Sequence, residues 1–229
     1  FAGENRIPSP LKPLILAATA SGSGLEASRY ASLDDWAFSS PHLMPVLAVI
    51  DPVLTKDSSP QEVVDLSLAA LAHAIEAYAG PSKNPMADAY AYGAIALIAD
   101  NLVAVAEGKA PKTGRSALVN AAVMAACALS NTQPGMVHLL GEAAVGKWKL
   151  DPGKLMGILL PYVMEYQALK GVYQSTDLLL PLGGNNVYAS TAEGLRGAIA
   201  VNVIHALLYD LNKTTRGGFP STLKEAGVE

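Results

Sequence analysis

A change of texture at Ser59 constrains this chain more than any other feature. Before it, short apolar runs alternate with Gly, Ser, Pro and Asp; after it come long Ala- and Leu-rich segments of helical periodicity, cut at intervals by Pro and Gly. The first such segment, SPQEVVDLSLAALAHAIEAYAG, carries its own boundary signals, with Ser59 as N-cap, Pro60 in the first turn and Gly80 as terminator. The same reading predicts helices over residues 59–78, 85–106, 114–129, 136–145, 154–169, 172–180, 190–211 and 222–226. Ahead of them, the apolar runs at 14–18 and 44–50, bounded by Pro, Gly, Ser and Asp, predict two buried strands. The expected fold class is mainly α, with a small β remnant at the front.

Composition narrows the function classes. With 51% hydrophobic and 16% charged residues in 229, and a mean hydropathy of +0.27, the chain is apolar enough to imply a deep core or a buried subunit contact, so a homo-oligomer is expected. No uninterrupted apolar run reaches the roughly 20 residues that span a bilayer, so no membrane partner is expected. The net charge of −4 and the scattered Lys and Arg exclude the basic face that nucleic acid requires. A single cysteine, Cys127, has no internal partner for a disulfide, which fits the cytoplasm. The opening FAGENRIPSPLKP lacks a charged segment leading into an apolar one, so it reads as no signal peptide; a chain that opens this way is expected to be a domain or part of something longer.

The chemistry-bearing residues sit on the helical part. Asp65, Ala69, His73 and Ala77 recur at four-residue steps and line one helix face. An imidazole on an otherwise apolar helix must be hydrogen-bonded, ligated or solvated, because an unpaired buried polar group costs about 1–3 kcal/mol. A satisfied core histidine and a ligand both meet that demand. His138 and Glu142 lie one turn apart and offer a nitrogen and a carboxylate on one face, suitable for Zn²⁺ or Fe²⁺ or for an intrahelical hydrogen bond. The loop TASGSGLEAS has the glycines that let backbone approach a ligand, and equally those of an ordinary turn.

Four stretches raise these readings together. HAIEAY from His73, NPMADAYA from Asn84, GMVHLLGE from Gly135 and GILLPYVMEY from Gly157 occur in the order and roughly the spacing of iron-containing alcohol dehydrogenases. The chain resembles that family, whose fold is like that of dehydroquinate synthase. The resemblance implies a helical metal and substrate domain, preceded by an α/β nucleotide-binding domain of which only the end is present. It covers the C-terminal two thirds of a typical member. The Asp51–Pro52 pair matches the junction, giving a remnant over residues 1–54 and the helical domain over 55–229.

The resemblance also implies an oxidoreductase that interconverts an alcohol with an aldehyde or ketone, using NAD or NADP and iron or zinc. In that pattern His73 and His138 are metal ligands, while Ala69 and Pro152 stand where a carboxylate and a further histidine are expected. Asp65, Asp151 and Glu142 are candidates to complete the shell. Glu142 takes the place of the family's substrate-side histidine, so His138 and Glu142 are the expected catalytic residues, with the histidines bonding substrate oxygen if no metal is bound. Thr19, Gly22 and Gly24 match the family's cofactor loop, with Glu26 in register. Its phosphate cradle lies upstream, and no strand–glycine loop–helix of that kind occurs here. Two other classes remain open: a non-catalytic paralogue serving assembly or binding, motivated by the two lost ligands, and a dehydroquinate synthase-like lyase, motivated by Lys147, Lys149 and Lys154.

Overall fold

The computed structural model describes residues 3–19, 24–33, 36–171 and 176–228. Its front holds five short strands, β1 (Gly3–Glu4), β2 (Ile15–Ala17), β3 (Tyr30–Leu33), β4 (Trp36–Ser39) and β5 (Leu47–Val49). Eight α-helices follow among the described residues: α1 (Pro52–Thr55), α2 (Pro60–Ala79), α3 (Pro85–Ala106), α4 (Lys112–Ser130), α5 (Met136–Trp148), α6 (Pro152–Leu169), α7 (Leu179–Ser190) and α8 (Arg196–Thr214). The mainly helical class with a small β portion is therefore observed.

Helix α2 is the axis of the domain. Ser59 accepts the Glu62 amide at 3.1 Å, Pro60 fills the first turn, and the Gly80 amide closes the far end on the Glu76 carbonyl. Between these signals every side of the helix is covered, from Val63 through Leu68, Leu71 and Ile75 to Ala77. A helix that is apolar all round belongs at the centre of a core. Its many alanines let α3, α4 and α6 pack close around it. Asn84 caps α3 by accepting the Met86 amide at 3.0 Å, and Asp151 caps α6 through the Gly153 amide at 2.8 Å.

Helix α3 is long and apolar enough, by length and composition, to cross a bilayer. One face of it packs inward, with Ala91, Ala94, Ile95, Ile98 and Leu102 buried against α2 and α4, while Met86, Tyr90 and Tyr92 are exposed.

The C-terminal elements depart from expectation. The helix expected over 172–180 is a 3-10 turn at Thr176–Leu178 followed by α7, while 172–175 lie outside the described residues. Helix α7 runs through the Gly183–Gly184 pair because Gly184 takes φ +75° and absorbs a kink between two helical pieces. Ser190 ends α7, and α8 begins at Arg196 after a 3-10 turn at Glu193–Leu195. Residues 222–226 form only turns, closed when the Val228 amide reaches the Leu223 carbonyl across Gly227 at φ +82°.

Both expected strands form, and they pair in parallel with Ile15 opposite Leu47 and Ala17 opposite Val49. They are not buried: Ile15 is 62% and Leu47 52% exposed, since among the described residues only two strands pair and no helix packs closely on them. The antiparallel β3–β4 pair, with β1 added in parallel, was not foreseen. Residues 34 and 35, between β3 and β4 in sequence, lie outside those described.

Candidate functional site

Two helices distant in sequence meet at the site. Helix α2 delivers His73 and α5 delivers His138, with His73 Nε2 at 2.9 Å from His138 Nδ1. Their ring centroids are 5.0 Å apart at 53°. Both imidazoles are almost fully buried, at 1% and 7% exposure. Burial and the neighbouring His138 ring push His73 down to about 3, and burial alone pushes His138 down to about 4, so both rings are neutral at physiological pH. The buried Nδ1 of His73 has no hydrogen-bond partner among the described residues.

His138 holds this position because of a residue that the sequence reading did not single out. Helix α5 starts at Gly135, which has no side chain to cap it. Glu76, one turn below His73 on α2, supplies the cap from outside: its Oε1 accepts the Val137 amide at 2.5 Å and its Oε2 accepts the His138 amide at 3.1 Å. A Cβ at Gly135 would overlap that carboxylate, so glycine is what lets the two helices meet. Burial nevertheless lifts the Glu76 carboxyl to about 7, the three backbone donors of Gly135, Val137 and His138 opposing it. In the sequence Glu76 is only an acid within an apolar run, and the amides it caps lie in another helix.

On its other side His138 lines a cavity of about 340 Å³ together with Tyr30, Phe38, Ser39, Gln133 and Leu139. The Tyr30 ring lies 6.1 Å from the His138 ring. Glu142, one turn along α5, accepts a 3.4 Å hydrogen bond from the Ser32 hydroxyl of β3. Burial raises its carboxyl above the ordinary range, the Ser32 bond opposing. The unforeseen hairpin thus contributes Tyr30 and Ser32 to the site.

The proposed completing ligands are occupied elsewhere. Asp65 accepts from Gln61 at 2.8 Å and lies 3.8 Å from the Lys154 ammonium; burial lifts its carboxyl to about 6. Asp151 caps α6. Ala69 is packed in the apolar core at 3% exposure, and Pro152 opens α6. Among the described residues, no group of three His, Cys, Asp or Glu side chains converges. A divalent metal at a catalytic site takes three protein ligands, and the described residues bring together two imidazoles and no third such group. The described residues do not fit an iron or zinc ion.

The lysines do not converge either. Lys154 pairs with Asp65, Lys147 lies over the Trp148 ring at 5.3 Å, and Lys149 caps α5 at φ +52°. In the cofactor loop Thr19 is exposed, and Gly22 lies outside the described residues. Gly24 is buried at φ +83°, where a Cβ would overlap the Ala122 carbonyl of α4, so its visible role is to seat the loop on that helix.

Comparison with known proteins agrees with this architecture. Residues 63–229 match the family described as Fe-containing alcohol dehydrogenase family, C-terminal. A 1,3-propanediol dehydrogenase of Citrobacter freundii is 29% identical over 236 residues, covering 100% of this chain and 59% of the relative. An NAD-dependent methanol dehydrogenase of Bacillus methanolicus is 29% identical over 236 residues, covering 100% of this chain and 60% of its own length. The crystal structure of a 1,3-propanediol oxidoreductase superimposes with a TM-score of 0.87 at 26% identity, over 100% of this chain and 59% of that one. The chain thus spans about three fifths of the length of the curated relatives it matches. The match to the family over most of its length, on a helical domain of the same shape, means that this chain belongs to the iron-containing alcohol dehydrogenases.

Proposed function

We propose that the chain forms the substrate side of an oxidoreductase that interconverts an alcohol with an aldehyde or ketone, and that histidine takes the place of metal at the substrate oxygen. The observation that carries this reading is the neutral, buried His73–His138 pair, whose His138 lines a cavity of small-molecule size. The relatives' names, a propanediol and a methanol dehydrogenase, support small alcohols as the substrate class.

In this reading NAD or NADP, when bound, exchanges hydride with the carbinol or carbonyl carbon. Thr19 and the loop through Gly24 face its reactive end. His138 bonds the substrate oxygen and keeps it oriented, and His73 behind it holds the ring. Glu142 carries the proton that the oxygen gains on reduction and loses on oxidation. Its upward shift suits that task, since a carboxyl donates near neutrality only when burial raises it. Tyr30 and Phe38 wall the cavity and keep water from the reacting carbon. The boundary near residue 54 separates the cofactor side from the helical side, and the functional unit is a homo-oligomer.

The intact protein, stripped of metal and assayed with small aldehydes and NADH or NADPH in a chelator, is expected to turn over, and His138→Leu to lower that rate at least a hundredfold. No turnover with or without added zinc or ferrous ion would sink the reading. A second reading, a non-catalytic paralogue kept for assembly, is favoured by the missing third ligand; it predicts neither turnover nor nucleotide binding in that assay.

A further inference from the structure

The bond between the two histidines also fixes where their protons are. A neutral imidazole has one N–H and one bare nitrogen, so whichever ring donates in the 2.9 Å bridge determines what both rings present on their other sides. Suppose His138 donated from Nδ1. His73 would then accept at Nε2 and carry its own proton on Nδ1, a buried nitrogen with no partner among the described residues. That leaves an orphaned buried N–H, the rarer and costlier defect. If His73 donates from Nε2 instead, its buried Nδ1 is only an unused lone pair, and His138 must hold its proton on Nε2.

We infer that His73 donates through Nε2 to His138 Nδ1, so that His138 presents a fixed Nε2–H donor to the cavity it lines, matched to the acceptor-only oxygen of an aldehyde or ketone carbonyl. This rests on the proposed oxidoreductase reading for the identity of the ligand, and on the geometry alone for the tautomers. A neutral N–H of this kind polarises a carbonyl without giving up its proton. With two protein ligands and no third among the described residues, zinc or iron gains too little at this pair to displace the bridging proton. Glu76 completes the arrangement by anchoring the His138 backbone.

The test is long-range ¹⁵N–¹H correlation NMR of the histidine rings in the intact, metal-free protein at neutral pH. Both rings are expected as Nε2–H tautomers, and an Nδ1–H signal from His73 would overturn the assignment. In His73→Gln the side-chain amide still donates to Nδ1, so His138 stays Nε2–H; in His73→Leu the preference is expected to be lost and both His138 tautomers to appear. Should His73→Leu fail to fold, the wild-type and His73→Gln spectra decide. One equivalent of zinc alone is expected to leave both rings unshifted, and displacement of both signals would overturn the persistence of the bridging proton beside added metal. A small amide, a carbonyl that hydride does not reduce, added with NADH is expected to shift the His138 Nε2–H signal. Silence of that signal would overturn the donor role. Absence of turnover with correct tautomers would defeat the oxidoreductase reading and leave the proton assignment standing.

Discussion

Glu76 uses both carboxylate oxygens as acceptors, one for Val137 and one for His138. Glutamine has the same shape but only one acceptor, and its amide group would face a backbone N–H with another N–H. Glu76→Gln is therefore expected to lose about 1–3 kcal/mol of stability in urea unfolding, and Gly135→Ala to lose a comparable amount by pushing the carboxylate away. Glu76→Gln also bears on pH. The folded-state carboxyl lies at about 7, above its ordinary 4.5, so its contribution favours the folded chain fully below pH 4.5 and is lost as pH rises through 7. The histidines run the other way: lowered to about 3 and 4 from 6.5, they favour the folded chain above pH 6.5 and lose that contribution as pH falls through those values. Removing the Glu76 carboxyl leaves the histidine trend less opposed, so unfolding free energy should rise more steeply with pH between 4.5 and 6.5 in Glu76→Gln than in wild type. An unchanged slope would count against the buried carboxylate. His73 and His138 stand out in the sequence through the HAIEAY and GMVHLLGE stretches of the family resemblance, since a lone imidazole on an apolar helix reads equally as a core residue. The structure brings the two rings together. Glu76 does not stand out, since its partners lie in another helix and only the fold brings them together.

At the scale of elements, what was legible tracks how local the signals are. Helices α2, α3 and α6 carry their own caps in Ser59, Asn84 and Asp151, and their expected spans stand within two residues of those observed. The 190–211 expectation started at Ser190, the last residue of α7, whose second piece follows the non-helical Gly184. The 14–18 and 44–50 strands were found but given the wrong environment, since exposure depends on neighbours that a strand's own residues do not encode. The β3–β4 pair, which brings Tyr30 and Ser32 to the site, has too short and mixed a pattern to announce itself. Gly24 tests how the front loop is docked: with φ +83° and the Ala122 carbonyl against it, Gly24→Ala is expected to cost about 2 kcal/mol or more. Limited proteolysis should then cut near the 3-10 turn Leu25–Ala27 sooner than in wild type; equal cutting rates would mean that α4 does not hold the loop.

The buried core of the molecule lies in its helices, and its front strands are open. Parallel strands in stable proteins are covered on both faces, yet Ile15, Val46 and Leu47 are more than half exposed here. Residues 1–229 alone are therefore expected to bind a hydrophobic dye and to elute above monomer size, measured by fluorescence and light scattering; a dye-silent monomer would refute this. The alanine packing around α2 also constrains how the site can change. Position 69 is sealed within an apolar cluster, and position 152 opens α6. A carboxylate at 69 or a histidine at 152 would each bring the count beside His73 and His138 to three, but the first would have to be buried among packed apolar side chains, at the cost of desolvating a charge. On the metal-independent reading, the packing itself guards the change: the way back to a metal through position 69 leads through the core.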